Sequence, residues 1–529
     1  MNDSEPDPIN CQAAVSVPAR QVIARNSLLA ALDTIATVFT ALVSSVAVAR
    51  LLGPVKLGYY NYVLFLCSIT QHLASLGVPL AARKHLAENF GRGDYSLARA
   101  VWRWTYRLQS LMALAVVAIG LGIIAWKVPP GHRLYASLAV ASMAPSMMMA
   151  MYSAANTAAE DFASNVKSSL IATAVGLLGL LLVLTMGWDL PGLTAALLAE
   201  RTTDLLVRRR YARCHMQRWQ TQHARSEQQG AGSDSYKRSL RRFCIQAALL
   251  QALSIVVWDR SEMLFLKRFS DIRQVAFYSL AFNITQRLLL LPRAFVNAVG
   301  ASVMVRVGHD PESAGALTVA AFRFMALLAL PVCIGLAALS DPAIRLLYGS
   351  RFLEAIPVLS ILACFASARA LMWPAQNLLV ASNRQAALLK LMGGTAALNL
   401  VLDYLLIPPY AARGAAVANS IAQTTAAVLA WRAALRGFRV RFPGSAFLRL
   451  LLASALTGVV AFAIALALPT VVAAFAAVFA GIVAYMVALR WLQPLPRADR
   501  DRLLGLERQL PGRLRDVWRA ALSWPFPRS

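Results

Sequence analysis

Long apolar runs separated by short polar segments dominate the chain. Runs close to 20 residues in length recur along it, for example at 111–126, 170–186, 324–339 and 450–468. A helix of about 20 apolar residues spans the hydrocarbon core of a bilayer. The pattern therefore predicts an all-α polytopic membrane protein with about 14 transmembrane helices.

The positions of the polar segments predict how these helices are grouped. We expect a cytoplasmic N-tail at 1–26, a first six-helix lobe at 27–208, a cytoplasmic linker loop at 209–242, a second six-helix lobe at 243–433, two C-terminal helices at 447–489 and a basic amphipathic cytoplasmic tail at 490–529. The lobes resemble each other: Gly192 matches Gly414, and Thr202 matches Thr424 at the same offset. This similarity favours a parallel repeat with the substrate site between the halves, as in some transporters.

The distribution of Lys and Arg predicts the orientation of the protein in the membrane. Only 15% of residues are charged, but the net charge is +27. Half of the 52 Lys and Arg residues lie in three segments on one side of the predicted spans, at 83–103, 208–241 and 436–519. Because cytoplasmic loops of membrane proteins are enriched in these residues, both termini are predicted to be cytoplasmic. The expected partner of this positive surface is anionic membrane lipid, and no nucleic acid is expected.

Several arginines interrupt the predicted spans. A guanidinium stays charged and binds phosphate oxygens in pairs, so a group of span arginines is typical of a cationic substrate cavity. The candidate cavity residues are Arg260, Arg287, Arg293, Arg323, Arg369 and Asn283. Arg287 and Arg369 fall near the middle of their spans, which favours the cavity. For Arg293 and Arg323, as for Arg107, an interfacial position or an internal ion pair is the alternative.

Acidic residues also occur in the spans. Asp33, Asp259 and Glu262 are candidates for balancing the cavity charge or binding a coupling cation. The alternative is a structural ion pair near the outer interface, and for Asp403 the structural role is favoured. The sequence has no CxxC pair, nucleotide-binding glycine loop, zinc motif or serine elbow. We therefore expect no metal site, no cofactor and no enzymatic activity.

Four motifs resemble a known family. They are "ARLLGPVKLGYYNY" at 49–62, "FYSLAFN" at 277–283, "LLYGSRFLEAIPVLSILA" at 346–363 and "LNLVLDYLLIPPYAARGAAVAN" at 398–419. In this order they resemble the polysaccharide-transporter (oligosaccharide flippase) branch of the multidrug/oligosaccharidyl-lipid/polysaccharide exporter superfamily. The resemblance implies a multi-pass protein of the bacterial cytoplasmic (inner) membrane that moves an undecaprenyl-diphosphate-linked glycan outward by alternating access, for lipopolysaccharide or exopolysaccharide synthesis. A polysaccharide polymerase is then a candidate partner.

Two other functions stay open from the sequence. One is a cation-coupled drug or small-solute antiporter of the same superfamily, although several span arginines would repel cationic drugs. The other is a membrane polysaccharide polymerase or ligase. The short predicted outward loops argue against this enzyme, because they leave little room for an acceptor-binding domain.

Overall fold

The structure is a computed structural model that describes residues 19–223, 244–245, 248, 261–290, 292, 311–382, 384–438, 441–468, 470–505 and 524–525. In these ranges the regular structure is helical throughout. The α-helices are α1 (Ala19–Ala74), α2 (Val78–Arg92), α3 (Tyr95–Lys127), α4 (Pro130–Ala141), α5 (Met143–Ala158), α6 (Phe162–Met186), α7 (Leu190–His223), α8 (Glu262–Phe269), α9 (Ile272–Leu288), α10 (Pro311–Ala338), α11 (Ser340–Leu347), α12 (Ala355–Ala381), α13 (Gln385–Phe438), α14 (Gly444–Ala467), α15 (Thr470–Leu492) and α16 (Arg497–Gly505). A short 3₁₀ helix spans Ser350–Phe352.

The predicted membrane architecture is confirmed. Within the described residues, nine helical stretches are long and apolar enough to cross a membrane. Some helices extend past the predicted spans: α2 continues to Arg92, and α7 continues to His223, into the predicted linker loop. The amphipathic helix expected at 502–522 lies mostly outside the described residues.

Two of the long helices each contain two spans. In α1 the backbone leaves helical geometry at Gly53 (φ 67°), directly before Pro54. In α13 it does so at Ala411 (φ 49°), after two prolines. A Cβ on Gly414 would lie 2.0 Å from the Leu406 carbonyl oxygen. Residues eight positions apart are about 12 Å apart in a straight helix, so the chain reverses here. The two arms of α13 match the predicted spans at 387–407 and 414–433.

The chain packs as two units. The first comprises Met1–Ser44 and Val63–Ala252, and the second comprises Ser45–Tyr62 and Leu253–Ser529. In the first unit, α2, α3 and α5 share a core that contains Val78, Leu86, Val101 and Met151. Small residues bring α6 close to α7: a Cβ on Gly179 would lie 2.8 Å from the Ala196 Cβ. Such small-residue contacts are a common way to pack membrane helices.

The core of the second unit joins α10, α12, α13, α14 and α15. Its large members include Phe322, Met325, Trp431, Leu450 and Tyr485. The two C-terminal helices are therefore an integral part of this unit. A Cβ on Gly458 of α14 would lie 2.7 Å from the Ile334 Cγ2 of α10, so these two helices are in close contact.

Aromatic side chains satisfy carbonyls next to two prolines. Pro331 in α10 has no N–H to donate to the Leu327 carbonyl four residues earlier. The Tyr485 hydroxyl donates to that carbonyl at 2.7 Å. Near Pro374 in α12, the Trp431 Nε1 donates to the Leu371 carbonyl, also at 2.7 Å. An unpaired carbonyl is costly in a membrane interior, so these bonds let both kinked helices remain in the core.

The segment 45–62, which contains the turn of α1, packs on the second unit. Arg50 donates from Nε to the Leu347 carbonyl at 2.8 Å and from Nη2 to the Leu346 carbonyl at 2.6 Å. Asn61 Nδ2 donates to Ser279 Oγ at 2.7 Å. The two Arg50 bonds satisfy carbonyls at the C-terminal end of α11, where a helix has no internal donors.

Candidate functional site

Arg287 lies at the end of a helix. The sequence predicts a span over 276–298 with Arg287 near its middle, but α9 ends at Leu288 and Arg287 is in its last turn. Pro292 explains this end, because it cannot donate an N–H to the Leu288 carbonyl. Leu290 and Pro292 are again helical, so the described backbone is interrupted at Leu289, and interrupted helices often form ligand sites in transporters. Asn283 lies one turn earlier on α9 and is half-buried.

Arg369 lies on the neighbouring helix α12 and contacts the residue that precedes Arg287. It is close to the middle of α12, and its Nη1 donates to Gln286 Oε1 at 2.6 Å. Gln286 precedes Arg287, so this bond brings Arg369 to the turn of α9 that carries Arg287, with the two α9 side chains about 100° apart around the helix. Both side chains are half-buried. Neither the turn of α9 nor the partner Gln286 is visible in the spacing of the apolar residues.

Tyr348 extends this arginine group. Its hydroxyl interacts electrostatically with Arg287 and lies 3.4 Å from Ser45 Oγ. Burial raises the pKa of Tyr348, so its hydroxyl remains neutral beside the guanidinium. A phenol in this position contributes a hydrogen-bonding group without neutralising the positive charge. Sequence reasoning missed Tyr348 and Ser45, which no local pattern connects to Arg287.

The remaining predicted arginines are distributed differently. Arg323 on α10 forms an ion pair with Asp499 of α16, whose side chain is 2% exposed. This is the alternative that the sequence left open for Arg323. Arg260 and Arg293 lie outside the described residues, as does Asp259. Asp33 lies in α1.

Two carboxylates form a second group in the same unit. Glu262 begins α8 and is fully buried, and Asp403 on α13 is also 0% exposed. Asn419 Nδ2 donates to Glu262 Oε1 at 2.6 Å. Asn399 Nδ2 contacts Glu262 Oε1 at 3.3 Å and Asp403 Oδ2 at 3.2 Å. One amide nitrogen therefore bridges both carboxylates.

The arrangement has the chemistry of a site for a proton or a small cation. Glu262 Oε2 and Asp403 Oδ1 are buried and accept no well-formed hydrogen bond from the described residues, although the Tyr278 hydroxyl lies near Glu262. Two buried carboxylates repel each other unless a positive charge lies between them. The described residues contain no cluster of three or more His, Cys, Asp or Glu side chains. The Asn399 and Asn419 amides present N–H groups to the carboxylates, so a proton or a monovalent cation bound by the carboxylate oxygens fits this donor set better than a transition metal.

Sequence reasoning identified only part of this group. Glu262 was a candidate for coupling or charge balance, whereas Asp403 was expected to be structural. The amides were missed, although they carried a signal. Asn399 and Asp403 are four residues apart on one arm of α13, and Asn419 and Gln423 are four apart on the other. Each pair therefore shares one helix face, and the turn of α13 brings the two faces to Glu262.

Comparison with known families agrees with this fold and this composition. The family model described as "Polysaccharide biosynthesis protein" matches residues 47–357, more than half of the chain. The chain belongs to this polysaccharide biosynthesis protein family. A second model, "Lipid II flippase MurJ", matches residues 279–487 of this family member.

Solved structures with the same fold include a flippase and a multidrug transporter. The inward closed conformation of Lipid II flippase MurJ is 15% identical, with a TM-score of 0.67, and the match covers 87% of this chain and 98% of that one. The inward-facing conformation of a multidrug resistance transporter of the MATE family, in the MOP superfamily, is 14% identical, with a TM-score of 0.62 and coverage of 76% and 94%. These structures show the shared fold, and together with the two family models they confirm the resemblance found in the sequence.

A curated relative matches over a shorter region. The teichuronic acid biosynthesis protein TuaB of Bacillus subtilis (strain 168) is 27% identical over 123 residues. That alignment covers 23% of this family member and 26% of TuaB. The chain therefore spans about a quarter of the length of this relative.

Proposed function

We propose that the chain is a flippase that moves an undecaprenyl-diphosphate-linked oligosaccharide from the inner to the outer leaflet, for cell-surface polysaccharide biosynthesis. Its family and its fold, which is similar to that of Lipid II flippase MurJ, support this proposal. Transport occurs by alternating access, and no covalent bond is made or broken. In this scheme the chain is a transporter and not an enzyme, and a polysaccharide polymerase uses the delivered substrate.

The observation that carries the proposal is the bond of Arg369 to Gln286, in the same last turn of α9 that carries Arg287. A diphosphate cannot cross hydrocarbon without compensation of its charge. A guanidinium group binds phosphate oxygens through paired N–H donors, and Arg287 and Arg369 each supply one. Gln286 Oε1 accepts from Arg369 Nη1 at 2.6 Å, and because this partner is neutral, the bond does not cancel the positive charge of Arg369.

The Glu262–Asp403 pair supplies the coupling site in this scheme. A proton or monovalent cation between the carboxylates cancels their repulsion, and its release changes the net charge of the second unit. Because amides from both arms of α13 donate to Glu262, occupancy of the site affects the packing of α8 against α13. The coupling ion therefore biases the conformation of the unit that also carries the arginines.

The proposed location is the bacterial inner membrane with both termini in the cytoplasm. This orientation rests on the excess of Lys and Arg in the segments around 208–241 and 497–519. Alkaline phosphatase fused after Gly230 is expected to be inactive, because the enzyme folds only outside the cytoplasm. Alkaline phosphatase activity of a fusion at this position would contradict the proposed orientation.

Complementation of a deletion strain tests the transport function. Loss of the protein should abolish surface polymer and leave lipid-linked oligosaccharide on the inner leaflet. Arg287→Ala and Arg369→Ala should reach the membrane at normal levels and fail to restore polymer. Lysine at either position should restore it partly, because an ammonium keeps the charge without the planar fork. The exposed Arg107 provides the control: Arg107→Ala should complement almost fully.

The result is read after correction for the amount of protein in the membrane. If both alanine variants produce normal amounts of surface polymer, the two arginines do not form the substrate site. Normal polymer in the deletion strain, with no second flippase present, would remove the transport function itself.

A second candidate is cation-coupled export of a drug or small solute. The observation that favours it is the buried carboxylate pair, together with the fold shared with a multidrug resistance transporter. Cells that overproduce the protein should then expel cationic dyes in a manner that depends on Glu262. The flippase proposal predicts no dye efflux, because the half-buried arginines repel cations.

A further inference from the structure

A pocket in the first unit lies apart from the groups described above. It opens between α2, α5 and α7 and has a volume of about 380 Å³. This volume is within the range of small-molecule binding sites. Among the described residues, the polar side chains in its lining are Arg83, Ser153, Thr157 and Arg208, and none of them is a carboxylate.

Arg208 is fixed in the pocket wall by other side chains. Its Nε donates to Asp204 Oδ1 at 2.6 Å, and its Nη2 donates to Asp204 Oδ2 at 3.2 Å. Its Nη1 donates to Asn165 Oδ1 at 2.9 Å and contacts Ser153 Oγ at 3.4 Å. The side chain is 11% exposed. The guanidinium is therefore preorganised, and little conformational entropy is lost when a ligand contacts it.

Arg83 and Ser153 provide the donors that remain available to a ligand. Arg83 is exposed and forms no ion pair or hydrogen bond with the residues that the structure describes. Among the described residues, Ser153 Oγ accepts a bond from Arg208 Nη1, so the hydroxyl proton of Ser153 is available to a ligand acceptor. Thr157 already donates to the Ser153 carbonyl at 2.8 Å. The pocket thus offers one uncompensated positive charge and a hydroxyl donor.

The rest of the wall is apolar. Leu80 of α2 and Met149 of α5 line it, together with a proline and two alanines. A free anion gains little from such a wall, whereas the glycerol and first methylene groups of a lipid bury apolar surface against it. Arg83, Lys84 and Arg208–Arg210 mark this end of the helices as the side rich in basic residues, where anionic headgroups lie if the positive-inside rule holds.

From this combination we propose that the pocket binds the phosphate headgroup of an anionic inner-leaflet lipid. Arg83 and Arg208 contact the phosphate oxygens, Ser153 donates to one of them, and Leu80 and Met149 contact the start of the acyl or prenyl chain. The inference concerns a lipid site in the first unit, and it stands whether or not the chain is a flippase.

Lipid retention by the purified full-length protein tests this site directly. Native mass spectrometry in mild detergent measures binding of phosphatidylglycerol, with phosphatidylcholine as the zwitterionic comparison. We expect one saturable phosphatidylglycerol that phosphatidylcholine does not replace. Arg83→Ala should weaken its binding by about tenfold or more, because a charge-assisted contact is lost. Ser153→Ala should weaken it less, and it leaves Arg208 with its Asp204 and Asn165 partners.

Arg92 offers the matched control. It is exposed and lies on the same helix as Arg83, near its C-terminal end. Arg92→Ala should change binding by less than about twofold, as expected for screened surface charge. Equal losses in Arg83→Ala and Arg92→Ala would show a diffuse surface field and overturn the site. Arg208→Ala is not used, because it would leave Asp204 buried without its partner.

Two further ligands identify the source of the phosphate. Undecaprenyl phosphate that displaces phosphatidylglycerol, with the same dependence on Arg83, supports a lipid-phosphate site that also accepts the carrier lipid. Failure of undecaprenyl phosphate to compete supports a phospholipid site. Inorganic phosphate that competes at millimolar concentration as well as either lipid would overturn the lipid assignment, because the apolar wall would then contribute nothing.

Discussion

Replacing Glu262 by glutamine should stabilise the protein and abolish its transport. Glu262 and Asp403 both contact Asn399 Nδ2, at 3.3 and 3.2 Å, so the contacting oxygens are no more than about 6.5 Å apart. At an effective dielectric constant of about 20, two negative charges at that separation repel each other by about 2.5 kcal/mol. Both residues are 0% exposed, so water does not screen them. Glutamine removes this repulsion and can still accept the Asn419 bond.

Thermal melting in detergent at alkaline pH measures the effect. In choline chloride, Glu262→Gln should be more stable than wild type by up to about 2.5 kcal/mol. Sodium chloride should stabilise the wild type, because a bound cation cancels the same repulsion, and should have little effect on the variant. Asp403→Asn should show the same gain in stability in choline chloride and the same weak response to sodium chloride. The double variant should gain little beyond either single one, which gives a coupling energy of similar size.

A matched substitution separates this effect from a general loss of negative charge. Glu354 belongs to the same unit but is exposed, and it accepts a bond from Gln274 at 2.9 Å. Glu354→Gln should leave both the melting temperature and the response to salt unchanged. The reasoning is refuted if Glu262→Gln melts below wild type and keeps the sodium response, or if it restores surface polymer at the wild-type rate.

Three other substitutions test a buried hydrogen bond, a buried histidine and a close backbone approach. Tyr485→Phe should lower the free energy of unfolding by about 1–3 kcal/mol, because the buried Leu327 carbonyl loses its donor; melting curves in detergent report the loss. Burial lowers the pKa of His85 below 6.5, so the neutral ring stabilises the fold above that pH, and stability falls as the pH drops below it; in melts between pH 8 and 5, His85→Asn should flatten this dependence. Gly414→Ala should prevent folding, since its Cβ would lie 2.0 Å from a backbone oxygen, whereas Gly393→Ala, with nothing within 4 Å, should be tolerated in the same expression assay.

Local patterns predicted the helices well, because membrane spans and their breaks have local causes. Apolar runs indicated the spans, and the prolines near 408 and at Pro54 coincide with the turns inside α13 and α1. The contacts between distant residues were not predictable in the same way. Arg323 meets Asp499 across 176 residues, and Asp403 joins Glu262 only after α13 folds back. Such pairs depend on which helices pack together, and the spacing of apolar residues does not specify that.

The packing of segment 45–62 has a consequence for how the chain is made. Asn61 reaches its partner Ser279 across 218 residues. At a synthesis rate of about 5–20 residues per second, the ribosome needs roughly 10–40 s to translate that interval. During this time the turn of α1 is already in the membrane while its binding surface does not yet exist. The polar groups of Arg50 and Asn61 must then be satisfied by water, lipid headgroups or a chaperone. Segment 45–62 therefore forms these bonds only after the later part of the second unit has been synthesised.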